Sequence, residues 1–134
     1  MSSTPAAVTQ VLPPPEPELD FSVEVLDHDE AAILALAGEI DMAASQDVSA
    51  AIEHALTRSL PVVVDLCDVS FLDSTGVSLV LRARSLAEMR GLGFAVSCAP
   101  AGAAGRVFGL VGLTDALPLH SSRAAALGAV RAAA

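Results

Sequence analysis

The sequence predicts an α/β domain, a small mixed sheet of four to five strands with helices packed against it. Three observations carry this. Val62-Val63-Val64 is an apolar run too short for a helix and β-branched throughout, as a buried strand is. Asp73-Ser74-Thr75-Gly76 then opens a periodic stretch, Val77 to Arg90, in the manner of a helix start. Upstream, an apolar run (Ala31 to Ala37), a helical stretch (Ala43 to Arg58) and Val62-Val64 follow one another, which requires two parallel strands joined by a right-handed crossover. A preceding hairpin makes the sheet mixed.

In chain order, residues 1–18 are rich in Ser, Thr, Ala and Pro, with Pro13-Pro14-Pro15 and Pro17, and read as a flexible tail ahead of a domain spanning 19–134. Phe21 to Val25 alternates with period two, a strand with one buried face. Asp27-His28-Asp29-Glu30 supplies a turn, and Ala31 to Ala37 pairs back as a central strand. Gly38-Glu39-Ile40-Asp41 interrupts and leads into the first helix, where Val48, Ala51, Ile52, Ala55 and Leu56 form one apolar stripe. Asp65 is expected to end the third strand, with Cys67-Asp68-Val69-Ser70 as a polar passage and Asp65 and Asp68 in turn and solvation roles. Asp73 or Ser74 can cap the second helix. Phe94-Ala95-Val96 is a short fourth strand, Ala103 to Val111 a third helix stopped by Gly112, and Leu117-Pro118-Leu119 an edge strand, where Pro is tolerated. Ser121 or Ser122 then caps a closing Ala-rich helix.

At 134 residues and 53% hydrophobic content, one domain with an ample core is expected. Aromatics are only 3%, with no Trp or Tyr, so stacking on bases or sugars is poorly provided for. A formal net charge of −9 repels phosphate backbones and anionic membrane surfaces, which argues against nucleic-acid and membrane partners. Cys67 and Cys98 fit neither a disulfide framework nor a zinc site, and no apolar run is long enough to span a bilayer, so a cytoplasmic setting is the simplest.

Enzyme classes fall away one by one. All seven basic residues are Arg, so a phosphate-binding loop, which ends in Lys, is excluded, and so is a receiver-type phosphoacceptor site with its partnering Lys. Asp73-Ser74-Thr75-Gly76 has one residue too many for the Asp-Thr-Gly of aspartic proteases, and Leu72 stands where a nucleophile elbow needs Gly. His28, His54 and His120 lie in separate elements, which argues against a metal site and leaves Ser74 without a base for hydrolase chemistry. Ser74 itself has two readings from spacing. It is a helix cap, or it is a phosphoacceptor whose phosphate would gain from free N–H groups at a helix start. A phosphate there would add roughly −1.5 to −2 charges beside Asp73, and beside Asp68 and Asp41 if they lie near.

Val62 through Gly76, ending in Asp73-Ser74-Thr75-Gly76, resembles the signature of STAS domains, in particular bacterial anti-sigma factor antagonists. Gly38-Glu39-Ile40-Asp41 resembles that family's loop after the second strand, and Val107 to Leu113 its third helix and following turn. The likeness covers about residues 20 to 130. It implies a STAS-type fold and a binding protein with no catalytic activity or cofactor of its own. It further implies that the unphosphorylated domain binds an anti-sigma factor, itself a serine kinase using ATP and Mg²⁺, and so frees a sigma factor. That kinase switches the antagonist off by phosphorylating the serine matching Ser74, with Thr75 as an alternative acceptor, and a metal-dependent phosphatase reverses it. Asp41 matches an acidic loop position near the partner, and Asp73, Ser74, Thr75 and Gly76 the contact turn. The competing expectation is an accessory STAS module of a stress-signalling or lipid-transport assembly, in which Ser74 is never modified.

Overall fold

The computed structural model describes residues 20–28 and 30–132. The tail expected over residues 1–18 lies outside the described residues. The chain runs β1 (Phe21–His28), β2 (Ala31–Ile40), a 3₁₀ turn (Met42–Ala44), α1 (Ser45–Leu56), β3 (Val62–Leu72), α2 (Ser74–Met89), β4 (Phe94–Ser97), α3 (Ala103–Leu110), β5 (Leu119–His120) and α4 (Arg123–Ala132). The five strands lie in sequence order; β1 is antiparallel to β2, and every later pair is parallel. This is the expected mixed sheet.

Side chains alternate across the sheet, and each face has its own cover. Leu34, Leu36, Val62, Val64, Leu66 and Val96 pack with the stripes of α1 and α2 and with Phe108 of α3, and Phe108 is fully buried. In α2 the inward positions include Ala83 and Ala87, whose small size lets the helix lie close to the strands. The opposite face, Ala31, Ile33, Val63 and Ala95, is covered by Ala126 and Val130 of α4. Each large aliphatic side chain so buried stabilises the domain by about 1.5–3 kcal/mol.

Boundaries differ from expectation at β1, whose pairing takes in Asp27 and His28 of the expected turn, at β5, and at β2 and β3, where bulges are the reason. β2 continues through Gly38-Glu39-Ile40 and β3 continues through Cys67-Asp68-Val69-Ser70 to Leu72, so Asp65 does not end the strand. Ala35 opposes Asp65 while Ala37 opposes Asp68, and Gly38 opposes Val69 while Glu39 opposes Phe71, so β3 carries one extra residue at each of two bulges. Bulges leave residues unpaired and break period-two alternation. That is why Cys67-Asp68 and Ser70-Phe71 are exposed pairs that read as a turn. β5 begins two residues later than expected; Leu117 is buried, and the Pro118 carbonyl accepts the Val96 amide at 3.0 Å. Gly38 is needed where it stands. Its φ is +81°, and a Cβ there would fall 2.1 Å from the Asp20 carbonyl oxygen, which accepts the Glu39 amide at 2.8 Å.

Candidate functional site

The β2–β3 ladder ends at the pair Ile40–Leu72, and from this pair the chain leaves through Asp41 on one side and Asp73 on the other. Both aspartates have extended backbones and act as caps. Asp41 Oδ1 accepts the Ala43 amide at 2.9 Å and starts the 3₁₀ turn. Asp73 Oδ1 accepts the Gly76 amide at 2.9 Å and starts α2. A carboxylate at a helix start satisfies an otherwise free N–H and opposes the positive end of the helix dipole.

The cap of α2 is therefore Asp73, and Ser74 is its first helical residue. The Gly76 amide is taken by the Asp73 side chain and the Val77 amide by the Asp73 carbonyl at 2.9 Å. Of the four amides that a helix start leaves open, those of Ser74 and Thr75 have no acceptor among the described residues. Ser74 is exposed, Thr75, Asp73 and Asp41 are half-buried, and Gly76 is buried. The turn is tied to β2: the Asp73 amide donates to the Ile40 carbonyl at 3.4 Å, and a Cβ on Gly76 would lie 2.8 Å from that same oxygen and 2.4 Å from Leu72 Cδ1. Only glycine lets α2 start this close to the sheet.

The electrostatics around the turn are negative. Asp41, Asp68 and Asp73 have no ion-pair partner among the described residues, whose ion pairs use Asp27, Glu30, Glu53, Asp65 and Glu88. Exposed apolar groups flank the same end of the sheet, with Met42 at 76% and Phe71 at 49% exposure. An exposed hydroxyl beside open amides, in an acidic surround with apolar neighbours, provides a place to dock and a place to add charge.

Asp65 departs from its expected turn role. It is 5% exposed and faces α4 from mid-strand. Its Oδ1 accepts the Cys67 amide at 3.0 Å and the Ser97 hydroxyl at 2.8 Å, and its Oδ2 accepts Arg123 Nε at 2.7 Å. Burial pushes its pKa up, but these hydrogen bonds and one with the Cys67 side chain outweigh burial and hold it below the usual aspartate value. Partial desolvation of the thiol, on a residue otherwise exposed, and the neighbouring Asp65 carboxylate push Cys67 up to about 11, and burial followed by Asp65 pushes the Cys98 thiol up as well. Neither sulfur has the lowered pKa of a reactive cysteine. The pairing of Asp65 with Arg123 was missed by the sequence reading. The available signal was an aspartate closing a β-branched run in a buried strand, since a carboxylate there requires a cation.

His28, His54 and His120 remain in separate elements, on β1, α1 and β5. No described helix is long and apolar enough to cross a membrane.

A family model described as "Mlab, STAS domain" matches residues 23–120. Among solved structures, the chain is similar to an anti-sigma factor antagonist from Mycobacterium paratuberculosis, with 32% identity and a TM-score of 0.72 over 83% of this chain and 94% of that one. It is similar to the anti-sigma factor antagonist SpoIIAA in its unphosphorylated form, with 25% identity and a TM-score of 0.66 over 84% and 96%. An RsbS variant from Moorella thermoacetica, 19% identical with a TM-score of 0.66 over 83% and 96%, shares the fold. No curated protein matches the chain.

Proposed function

The chain belongs to the STAS-domain family, and from that premise we propose that it is an anti-sigma factor antagonist working by partner exchange. Its unphosphorylated form binds an anti-sigma factor that is also a serine kinase, and so releases a sigma factor. The kinase uses ATP and Mg²⁺ to phosphorylate Ser74, and a metal-dependent serine phosphatase restores the active form. The domain binds rather than catalyses, and the exchange takes place in the cytoplasm.

The observation that carries this reading is the division of labour at the start of α2: Asp73 makes the capping bond, and Ser74 stands exposed with no capping duty. A phosphate on Ser74 meets the open amides of Ser74 and Thr75, so the α2 start tolerates it. Toward a partner the effect is opposite, because the added charge joins Asp41 and Asp73, which already lack cations. The switch therefore works by changing the field at the docking face, without refolding. Asp41, Asp73, Ser74, Thr75 and Gly76 form the contact turn, and half-buried Thr75 is the secondary acceptor.

The Ser74→Ala variant as bait, with captured proteins identified by mass spectrometry, should retrieve the kinase. Binding to it should then be retained by Ser74→Ala and weakened about 150-fold by Ser74→Asp, a coupling of about 3 kcal/mol. Equal, tight binding of both variants would refute the switch. The accessory-module reading shares the same fold and family; absence of phosphate on Ser74 after incubation with the captured kinase, ATP and Mg²⁺ would favour it.

A further inference from the structure

The seven arginines of the chain are not equally occupied. Arg58 pairs with Asp27, Arg82 and Arg90 with Glu53, Arg84 with Glu88, Arg123 with Asp65 and Arg131 with Glu30. Arg106, exposed on α3, has no carboxylate partner among the described residues, and its guanidinium donates to the Ala101 carbonyl at 2.6 Å. A guanidinium carries five N–H donors, so most of them stay open. In a chain of net charge −9 this is the exception.

Arg106 stands at a cavity of about 540 Å³ formed by α3, the loop after β4 and the end of β5. Cys98, Pro100 and Leu119 give it an apolar lining, and Thr114 and His120 add polar groups near the arginine. The volume is within the range of small-molecule sites, and the place is usual, since open α/β sheets bind ligands at the carboxyl ends of parallel strands. A cleft of about 420 Å³ elsewhere also holds an arginine, but Arg84 there is already bonded to Glu88 and to the Ala116 carbonyl.

We propose that the Arg106 cavity binds a small amphipathic anion, with a carboxylate or phosphate-ester head on the guanidinium and a short apolar body against Leu119, Pro100 and Cys98. This site is separate from the Ser74 turn and does not depend on its role.

The test is a nuclear magnetic resonance titration of the full chain with octanoate and with octyl phosphate, using octanol and inorganic phosphate as controls. At least one amphiphile should give saturable shifts centred on the amides of Cys98, Arg106, Thr114 and His120, and the tighter of the two identifies the head group. Arg106→Gln should weaken that binding about tenfold or more, the effect of losing a charge-assisted contact, while Arg82→Gln leaves it unchanged. Gly109→Leu gives a second check. Gly109 is an exposed helical position on the cavity wall where an added Cβ meets only Thr114 Oγ1, at 3.8 Å, so the backbone there accepts a side chain, with the fold checked by the amide spectrum. A side chain of leucine's size is expected to obstruct the cavity. It should abolish the shifts. The proposal is overturned if neither amphiphile saturates, if Arg106→Gln binds as well as the parent, or if octanol or inorganic phosphate binds as tightly.

Discussion

Replacing Arg123 by Met removes the one cation that holds Asp65 and keeps a stem of similar length on α4. Asp65 retains the Cys67 amide and Ser97 hydroxyl on Oδ1, while Oδ2 loses its bond from Arg123 Nε at 2.7 Å. Stripping the partner from a fully buried charge costs about 3–5 kcal/mol. The Arg123 side chain is 39% exposed against 7% for Asp65, so water reaches the vacated side, and the expected loss at pH 7 falls to about 1–2 kcal/mol. For a domain of this size that is a fall in Tm of roughly 4 °C per kcal/mol. The pH dependence has a definite sign. Because the folded pKa of Asp65 lies below the ordinary 3.8, its contribution is present in full above that value and is lost as pH falls through the lower folded value. Losing Arg123 raises the folded pKa, so acid neutralises Asp65 earlier in the variant and the penalty shrinks on approach to pH 3. Urea unfolding of the parent, Arg123→Met, Asp65→Asn and the double variant at pH 7, 5 and 3 measures this, with a coupling of about 0.5–3 kcal/mol expected at pH 7. A penalty unchanged between pH 7 and pH 3, or strict additivity of the two substitutions, would refute the reasoning.

Gly76→Ala places a methyl group 2.4 Å from Leu72 Cδ1 and 2.8 Å from the Ile40 carbonyl oxygen; denaturant melts should show a loss of about 1–3 kcal/mol, as for other over-packed sites. Asp73→Ala removes the α2 cap and should cost about 1 kcal/mol by the same measurement, with Ser74 still exposed and still open to modification. Cys67 is exposed, but with its thiol near pKa 11 it should react with iodoacetamide at pH 8 about a hundredfold more slowly than a free cysteine, the rate rising with pH up to that value.

The β-branched run of β3, the apolar stripe of α1 and the strand–helix–strand order each follow from nearest-neighbour chemistry and side-chain periodicity, so the parallel sheet and its hairpin were legible in the sequence. The Asp73-Ser74-Thr75-Gly76 turn was legible for the same reason, because caps and helix starts are local. Whether Asp73 or Ser74 makes the capping bond was left open by spacing alone; the extended backbone at Asp73 and its bond to the Gly76 amide decide for Asp73. Two features lay beyond any local pattern. The bulges of β3 depend on the register against β2, and register is a relation between two strands. Asp65 meets Ser97, 32 positions away, when β3 and β4 pair side by side, and meets Arg123, 58 positions away, only when α4 closes over the sheet face that α1 and α2 leave bare. Sequence by itself determined the elements, their order and the exposed serine at a helix start. Tertiary packing decided which charges are buried, which arginine is left open, and how closely α2 begins to the sheet, because burial and long-range pairing arise only when separate segments meet.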